Sequence, residues 1–325
     1  ASIIIPKSVT SIGTSAFNSC RSLKDVYYEG TMEDWCKLNC SIFAFYADNL
    51  NHFYLLGENN EWEEVTTIEI PETITEIGYD QFDAFNSVES IIISNSVTTI
   101  GGFAFRGCSN LTSIVIPNSV TSIGTYAFSD CDNLMSITLP SSIESIGKQA
   151  FSGCSSLTDV YYEGTIEDWC NISFEDSFSN PMGYYAKHIY IRNDLNEWEE
   201  PTAIEIPETI TKIGDYQFRG FDNLTSITIS AGVTSIGSNA FYSCDNLTSV
   251  IIPNSVTSIG SRAFYGCFSL TSVVIPNSVE SIEEYAFTNL HKLTIYCEAS
   301  SQPAQWSVVW AGSNKEVLWG YNSEE

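Results

Sequence analysis

A single 23-residue unit governs what this chain can fold into. Between Cys108 and Leu134 the sequence reads CSNLTSIVIPNSVTSIGTYAFSDCDNL, and the pattern L-x-x-I-x-I-P-x-S-V-x-x-I-G-x-x-A-F-x-x-C recurs over most of the 325 residues. A unit this short cannot bury both faces of its own strand. Neighbouring copies must supply the missing walls, so chains built this way stack into solenoids whose core grows along an axis.

The parts of one unit can be read individually. Leu111, Ile114 and Ile116 have the spacing of a short strand with alternate side chains inward. Pro117 ends that ladder because it has no N–H to donate. Val120 and Ile123 return to the core, Gly124 is expected to permit a tight turn, and Ala127-Phe128 fills the far side. Only one apolar run per coil has strand length, and no segment carries a helical pattern of ten residues. The expectation is one parallel sheet of about 14 short strands, with short turns or single helical turns opposite.

The signature I-P-x-S-V-T-x-I-G-x-x-A-F-x-x-C resembles the treponemal-type, BspA-like class of leucine-rich repeats, over roughly nine tenths of the chain from Ile3 to about Tyr296. The resemblance implies an α/β leucine-rich-repeat solenoid, a curved right-handed superhelix with little helix. It also implies a cell-surface or secreted protein, some relatives of which act in adhesion to host matrix or other cells. It carries over no catalytic residues. The expected organisation is a solenoid over residues 1–296 and a C-terminal cap over 297–325, with Trp306, Trp310 and Trp319 as buried lid residues. The chain opens directly on the strand ASIIIP, which suggests a mature or excised fragment.

Two departures interrupt the array, and they are copies of each other. YYEGTMEDWC and YYEGTIEDWC begin at Tyr27 and Tyr161, and each is followed by a His-led aromatic strand and an EWEE segment, at 61–64 and 197–200. Thr31 with Asp34, like Thr165 with Asp168, resembles a capping box opening a short helix that carries Trp35 or Trp169 inward. Hairpin-like turns are expected around Gly57–Asn60 and its equivalent. The coil after each departure shares three deviations at an offset of 136 residues: Gln81 and Gln217 for Ala, Phe85 and Phe221 for Cys, Ser94 and Ser230 for Pro. Duplication of a block of about 135 residues explains them, so any binding feature inside the block should occur twice.

The candidate binding face consists of the outward strand positions. Tyr27, Tyr54, Tyr161, Tyr190, Ile92, Val115, Ile251 and Val274 stand where a solvated sheet would ordinarily carry polar residues, with Glu69 and Glu205 among them. Mutual stabilisation of branched and aromatic neighbours is the simpler account of this strip. A shallow protein-binding face, with Tyr27/Tyr54 and Tyr161/Tyr190 as aromatic pairs, is the functional one. The competing functional class is a structural spacer or display segment of a larger surface protein.

Charge narrows the partner. Forty acidic against 13 basic residues give a net charge of −27, which disfavours nucleic acid and anionic membrane and favours a basic host or matrix protein. No apolar run reaches membrane-spanning length, and a monomer is expected. Six of the ten cysteines (Cys20, Cys108, Cys131, Cys154, Cys244, Cys267) share one place in the unit and read as a reduced core ladder. No G-x-S-x-G elbow, phosphate loop or D-x-D-x-D calcium loop occurs, so neither catalysis, a cofactor nor a metal is expected. His52 and His188 read as edge residues leading into aromatic strands rather than ligands or bases.

Overall fold

The computed structural model describes residues 1–17, 19–40, 52–193, 195–313 and 316–322. It divides into two units, Ala1–Tyr161 and Tyr162–Glu325, and each is a stack of parallel-strand coils with almost no helix.

In the first unit Ser2–Ile5, Asp25–Tyr28 and His52–Leu56 pair in parallel, with Ile3, Val26 and Phe53 in register. Thr67–Glu69 pairs with Ser90–Ile92 and Ser113–Val115 with Ser136–Leu139, each at the 23-residue step. In the second unit Ala203–Glu205, Ser226–Thr228 and Ser249–Ile251 form one ladder. Ser272–Ile275 and Thr294–Cys297 continue in another. Inward Ile and Val are buried while the residues between them face solvent, so the period-two pattern sets the register.

The return side differs from expectation. The two residues ending on the returning Ile of the unit form a second parallel ladder, not turns alone. Glu76–Ile77, Thr99–Ile100, Ser122–Ile123 and Ser145–Ile146 pair successively in the first unit, and Lys212–Ile213, Ser235–Ile236, Ser258–Ile259 and Ser281–Ile282 in the second. Two residues are too few to announce a strand in sequence. Stacking makes them one, because each rung offers its neighbour backbone groups that would otherwise lie unpaired against the core.

Gly124 also has a different reason from the tight turn expected of it. A Cβ there would lie 2.5 Å from the Gly102 nitrogen of the adjacent coil, so glycine permits close backbone approach. The left-handed position falls two residues later, on Tyr126 at φ 58°, and recurs at Phe103, Gln149, Tyr216, Asn239, Arg262 and Tyr285. Such a conformation costs of order 1 kcal/mol for a non-glycine residue. Bonds between coils hold it: Tyr126 N–H donates to the Lys148 carbonyl at 2.9 Å and Phe128 N–H to Ala150 at 2.9 Å.

Columns of like residues fill the core. Phe82, Phe105, Phe128 and Phe151 stack at centroid spacings of 5.5, 5.5 and 5.8 Å. Phe218, Phe241, Phe264 and Phe287 do so at 5.4, 5.1 and 5.1 Å, and Trp310 ends the column edge-on at 5.9 Å. Beside each column runs the cysteine ladder, all free thiols and buried, except that Cys20 in the first coil, which the sequence placed in the core ladder, is exposed. Cys131 and Cys154 donate to the carbonyls of Phe105 and Phe128 at 3.2 and 3.1 Å, and Cys244 and Cys267 to those of Phe218 and Phe241, both at 3.1 Å. Burial pushes these thiols up, to about 12 at Cys154 and Cys267.

At the C-terminal end Trp306 and Trp310 are buried, as a lid requires, and Trp319 is half-buried. The tail contains one parallel strand more than the sequence suggested. Glu316–Trp319 pairs with Thr294–Cys297, so the strand ladder extends past Leu293–Ile295. Val317 and Trp319 supply the inward alternation, which the absence of the rest of the motif conceals.

Candidate functional site

The duplicated departures build the most distinctive surface. Each opens on a short helix, Met32–Cys36 or Ile166–Asn171, whose capping box is complete. Asp34 N–H donates to Thr31 Oγ1 at 3.1 Å and Thr31 N–H to Asp34 Oδ2 at 2.9 Å. These backbone and side-chain bonds hold the Asp34 carboxyl below its usual range. The helix drives Trp35 into the core, where its Nε1–H donates to the Gln81 carbonyl at 2.9 Å and Gln81 Nε2 donates to the Trp35 carbonyl at 2.5 Å. Phe85 packs 5.7 Å from Trp35 and 4.5 Å from Phe53. Trp169, Gln217 and Phe221 repeat the arrangement. The shared deviations are therefore the parts of a splice: Gln bonds the intruding helix's backbone, and Phe fills volume that a cysteine would leave empty.

After the helix the chain forms the expected hairpin. His52–Leu56 pairs antiparallel with Trp62–Glu64, and His188–Arg192 with Trp198–Glu199. On the outward side of the first hairpin the Tyr27 and Tyr54 rings lie parallel at 4.5 Å, and Trp62 meets Tyr27 edge-on at 5.0 Å. His52 Nδ1 lies 2.5 Å from Glu64 Oε1, so the histidine read as an edge residue pins the strand through the last carboxylate of EWEE. On the second hairpin His188 Nδ1 lies 3.0 Å from Glu200 Oε1, which also accepts from Asn223 Nδ2 at 2.5 Å. Burial first, and then the Glu64 charge, raise the Tyr54 hydroxyl, keeping it a hydrogen-bond donor.

The other predicted positions fall where the alternation places them. Ile92, Val115 and Ile251 are 54, 62 and 66% exposed, Glu69 and Glu205 are exposed, and Val274, Tyr161 and Tyr190 are half-buried. Tyr161 closes the first unit and Tyr190 belongs to the second, each on its own strand.

Two further features escaped the sequence. Arg219 is buried, donates from Nε to the Gly183 carbonyl at 3.0 Å, and lies 3.9 Å over the Tyr242 ring. Its counterpart Asp83 instead pairs with Arg106 through two hydrogen bonds. A cleft of about 450 Å³ in the second unit lies between Asn171–Phe174 and Thr209–Asp215. Among the described residues no group of three or more His, Cys, Asp or Glu could hold a metal ion, and no helix is long and apolar enough to cross a membrane.

These features define a solenoid of stacked parallel-strand repeats. The chain belongs to the BspA type leucine rich repeat family, whose model matches residues 1–61, 58–180 and 190–302. It is similar in fold to a leucine rich cell surface protein from Faecalibacterium prausnitzii A2-165, at 23% identity over all of this chain and 80% of that one, with a TM-score of 0.51. The pneumococcal vaccine antigen PcpA is similar at 18% identity over 99% of this chain and 84% of that one, with a TM-score of 0.50. A leucine-rich repeat protein from Bacteroides ovatus ATCC 8483 matches at 24% identity over 98% and 82%, with a TM-score of 0.48. No curated protein matches the sequence significantly.

Proposed function

We propose that this chain is a non-catalytic, adhesin-like protein-binding module of the cell surface, using the outward face of its parallel strands. The observation that carries the reading is the outward aromatic cluster at the first hairpin, where half-buried Tyr27 and Tyr54 stack beside exposed Trp62 on paired strands, edged by Glu61, Glu63 and Glu64. Tyrosine and tryptophan supply apolar contact area at low entropic cost, and they anchor the centres of protein interfaces. Ile92 and Val115 in the first unit, and Ile251 and Val274 in the second, extend apolar area along the strands. Glu69 and Glu205 add negative charge among them. Solved relatives described as a cell surface protein and a vaccine antigen are consistent with an outward-facing role.

A net charge of −27 selects for cationic protein partners and against anionic glycans or nucleic acid. An apolar centre with an acidic rim steers encounter through the rim and retains the partner through the centre. Binding kinetics on immobilised basic matrix proteins, at about 0.05 M and about 0.5 M salt, test this. The on-rate should fall with salt while the off-rate changes little, and Tyr27→Ser combined with Tyr54→Ser should weaken binding at least tenfold. A salt-independent on-rate would refute the steering argument. Indifference to the tyrosine substitutions would favour a structural spacer.

A further inference from the structure

The two hairpins share one backbone device and differ in the residue that faces the tryptophan, Leu56 in the first and Arg192 in the second. In the first, Gly57 N–H donates to the Glu61 carbonyl at 2.8 Å and Asn60 N–H to Gly57 at 3.0 Å, with Asn60 left-handed at φ 64°. In the second, Asn193 N–H donates to Glu197 at 3.0 Å and Asn196 N–H to Asn193 at 2.8 Å, with Asn196 at φ 60°. The cross-strand register is shared: Leu56 stands opposite Trp62 and Arg192 opposite Trp198. Their occupancy differs. The Arg192 guanidinium lies 3.7 Å over the Trp198 ring, and its Nη1 donates to the Asn196 carbonyl at 2.9 Å. The first hairpin offers the same ring and the same carbonyl, on Trp62 and Asn60, but has Leu56 where the arginine would originate.

We infer that the Trp62 hairpin receives an arginine side chain from a partner protein, and that Arg192 is the built-in occupant closing the equivalent site on the second hairpin. The inference rests on the protein-binding reading above and names the side chain that this part of the face takes. Three observations support it. Trp62 remains 36% exposed after packing edge-on against Tyr27. Glu61, Glu63 and Glu64 beside it are all exposed, and position 56 contributes no cation to offset them. The second hairpin shows, within the same molecule, that this turn and this ring hold a guanidinium. Arginine is favoured over lysine because its planar, weakly hydrated cation stacks on an indole while still donating in its plane to a carbonyl.

The test uses the peptides acetyl-Gly-Arg-Gly-amide and acetyl-Gly-Lys-Gly-amide, followed at the tryptophan indole N–H resonances of the ¹⁵N-labelled protein, with Trp62 assigned through Trp62→Phe. The arginine peptide should shift the Trp62 signal with at least fivefold higher affinity than the lysine peptide. Leu56→Arg should abolish the response by supplying the occupant, and the second hairpin already tolerates arginine in that place. Arg192→Leu should make the Trp198 signal respond where it was silent. An unresponsive Trp62, an equal response to lysine, an unchanged response in Leu56→Arg, or a silent Trp198 in Arg192→Leu would each overturn the inference. A responsive Trp62 alongside macromolecular binding indifferent to Tyr27→Ser and Tyr54→Ser would refute the wider protein-binding reading while leaving the arginine site standing.

Discussion

Phe85→Cys restores the residue that the repeat prefers, and it should nevertheless destabilise the protein. Restoring a consensus residue is ordinarily a route to added stability. Here Phe85 is buried against Trp35, Phe53 and Phe82, with ring centroids 5.7, 4.5 and 5.6 Å away. Truncating a buried phenylalanine to alanine costs about 3–5 kcal/mol through lost transfer free energy and the cavity left behind. Cysteine keeps one sulfur more than alanine, so the expected loss is about 3 kcal/mol. The mirror substitution, Cys131→Phe in a regular coil, places a large ring in a filled column and should cost about 1–3 kcal/mol through overpacking. Urea unfolding followed by tryptophan fluorescence measures both, since Trp35 reports directly on the Phe85 site. A Phe85→Cys midpoint equal to or above wild type would refute the splice argument, because the position would then obey the repeat rather than its neighbour.

The same splice predicts that Gln81→Ala, also a return to consensus, removes the side-chain bond to the Trp35 carbonyl, which keeps the Leu38 N–H at 3.0 Å, and lowers stability by about 1 kcal/mol in the same assay. Asp222 has its carboxyl raised to about 6, chiefly by burial and then by Asp245, so its folded pKa lies above the ordinary 3.8. The folded state therefore takes up the proton more readily, and its stability should rise as pH falls from about 6 towards 4. Asp222→Asn should remove that dependence and stabilise at pH 7 by about 1 kcal/mol, after discounting for partial solvent screening. A thiol reagent at neutral pH should label Cys20 rapidly and leave Cys108, Cys131, Cys154, Cys244 and Cys267 untouched until the chain unfolds. Rapid labelling of any of those five in the folded protein, located by mass spectrometry of the labelled peptides, would contradict this.

Much of the architecture was legible because a repeat states its packing many times. The 23-residue step sets the strand register, the alternation at Ile114 and Ile116 assigns inside and outside, and the shared position of Cys108, Cys131 and Cys154 marks one buried column. Thr31 with Asp34 marked a helix start from four residues. The outward strip, Ile92, Val115 and Ile251 above all, followed from the same alternation, so the candidate face could be listed residue by residue. The second ladder could not be read, because two-residue rungs such as Ser122–Ile123 exist only when neighbours pair with them.

Tertiary structure alone decided what the exceptions are for. In sequence, Gln81 and Phe85 are deviations whose recurrence points to duplication but carries no physical reason. In the fold they lie against a tryptophan 46 and 50 residues earlier in the chain, and the reason becomes a hydrogen bond and a filled volume. The strand Glu316–Trp319 likewise lacks the motif and is recognisable only by its pairing with Thr294–Cys297. The difference between the hairpins has the same origin. Leu56 and Arg192 are one substitution in an alignment of the two blocks, and the antiparallel register sets Arg192 across from Trp198 and makes it an occupied site. Local pattern fixes periodicity, since every coil must meet the same neighbours. The meaning of a break in that pattern depends on a contact distant in sequence, which only the folded chain brings together.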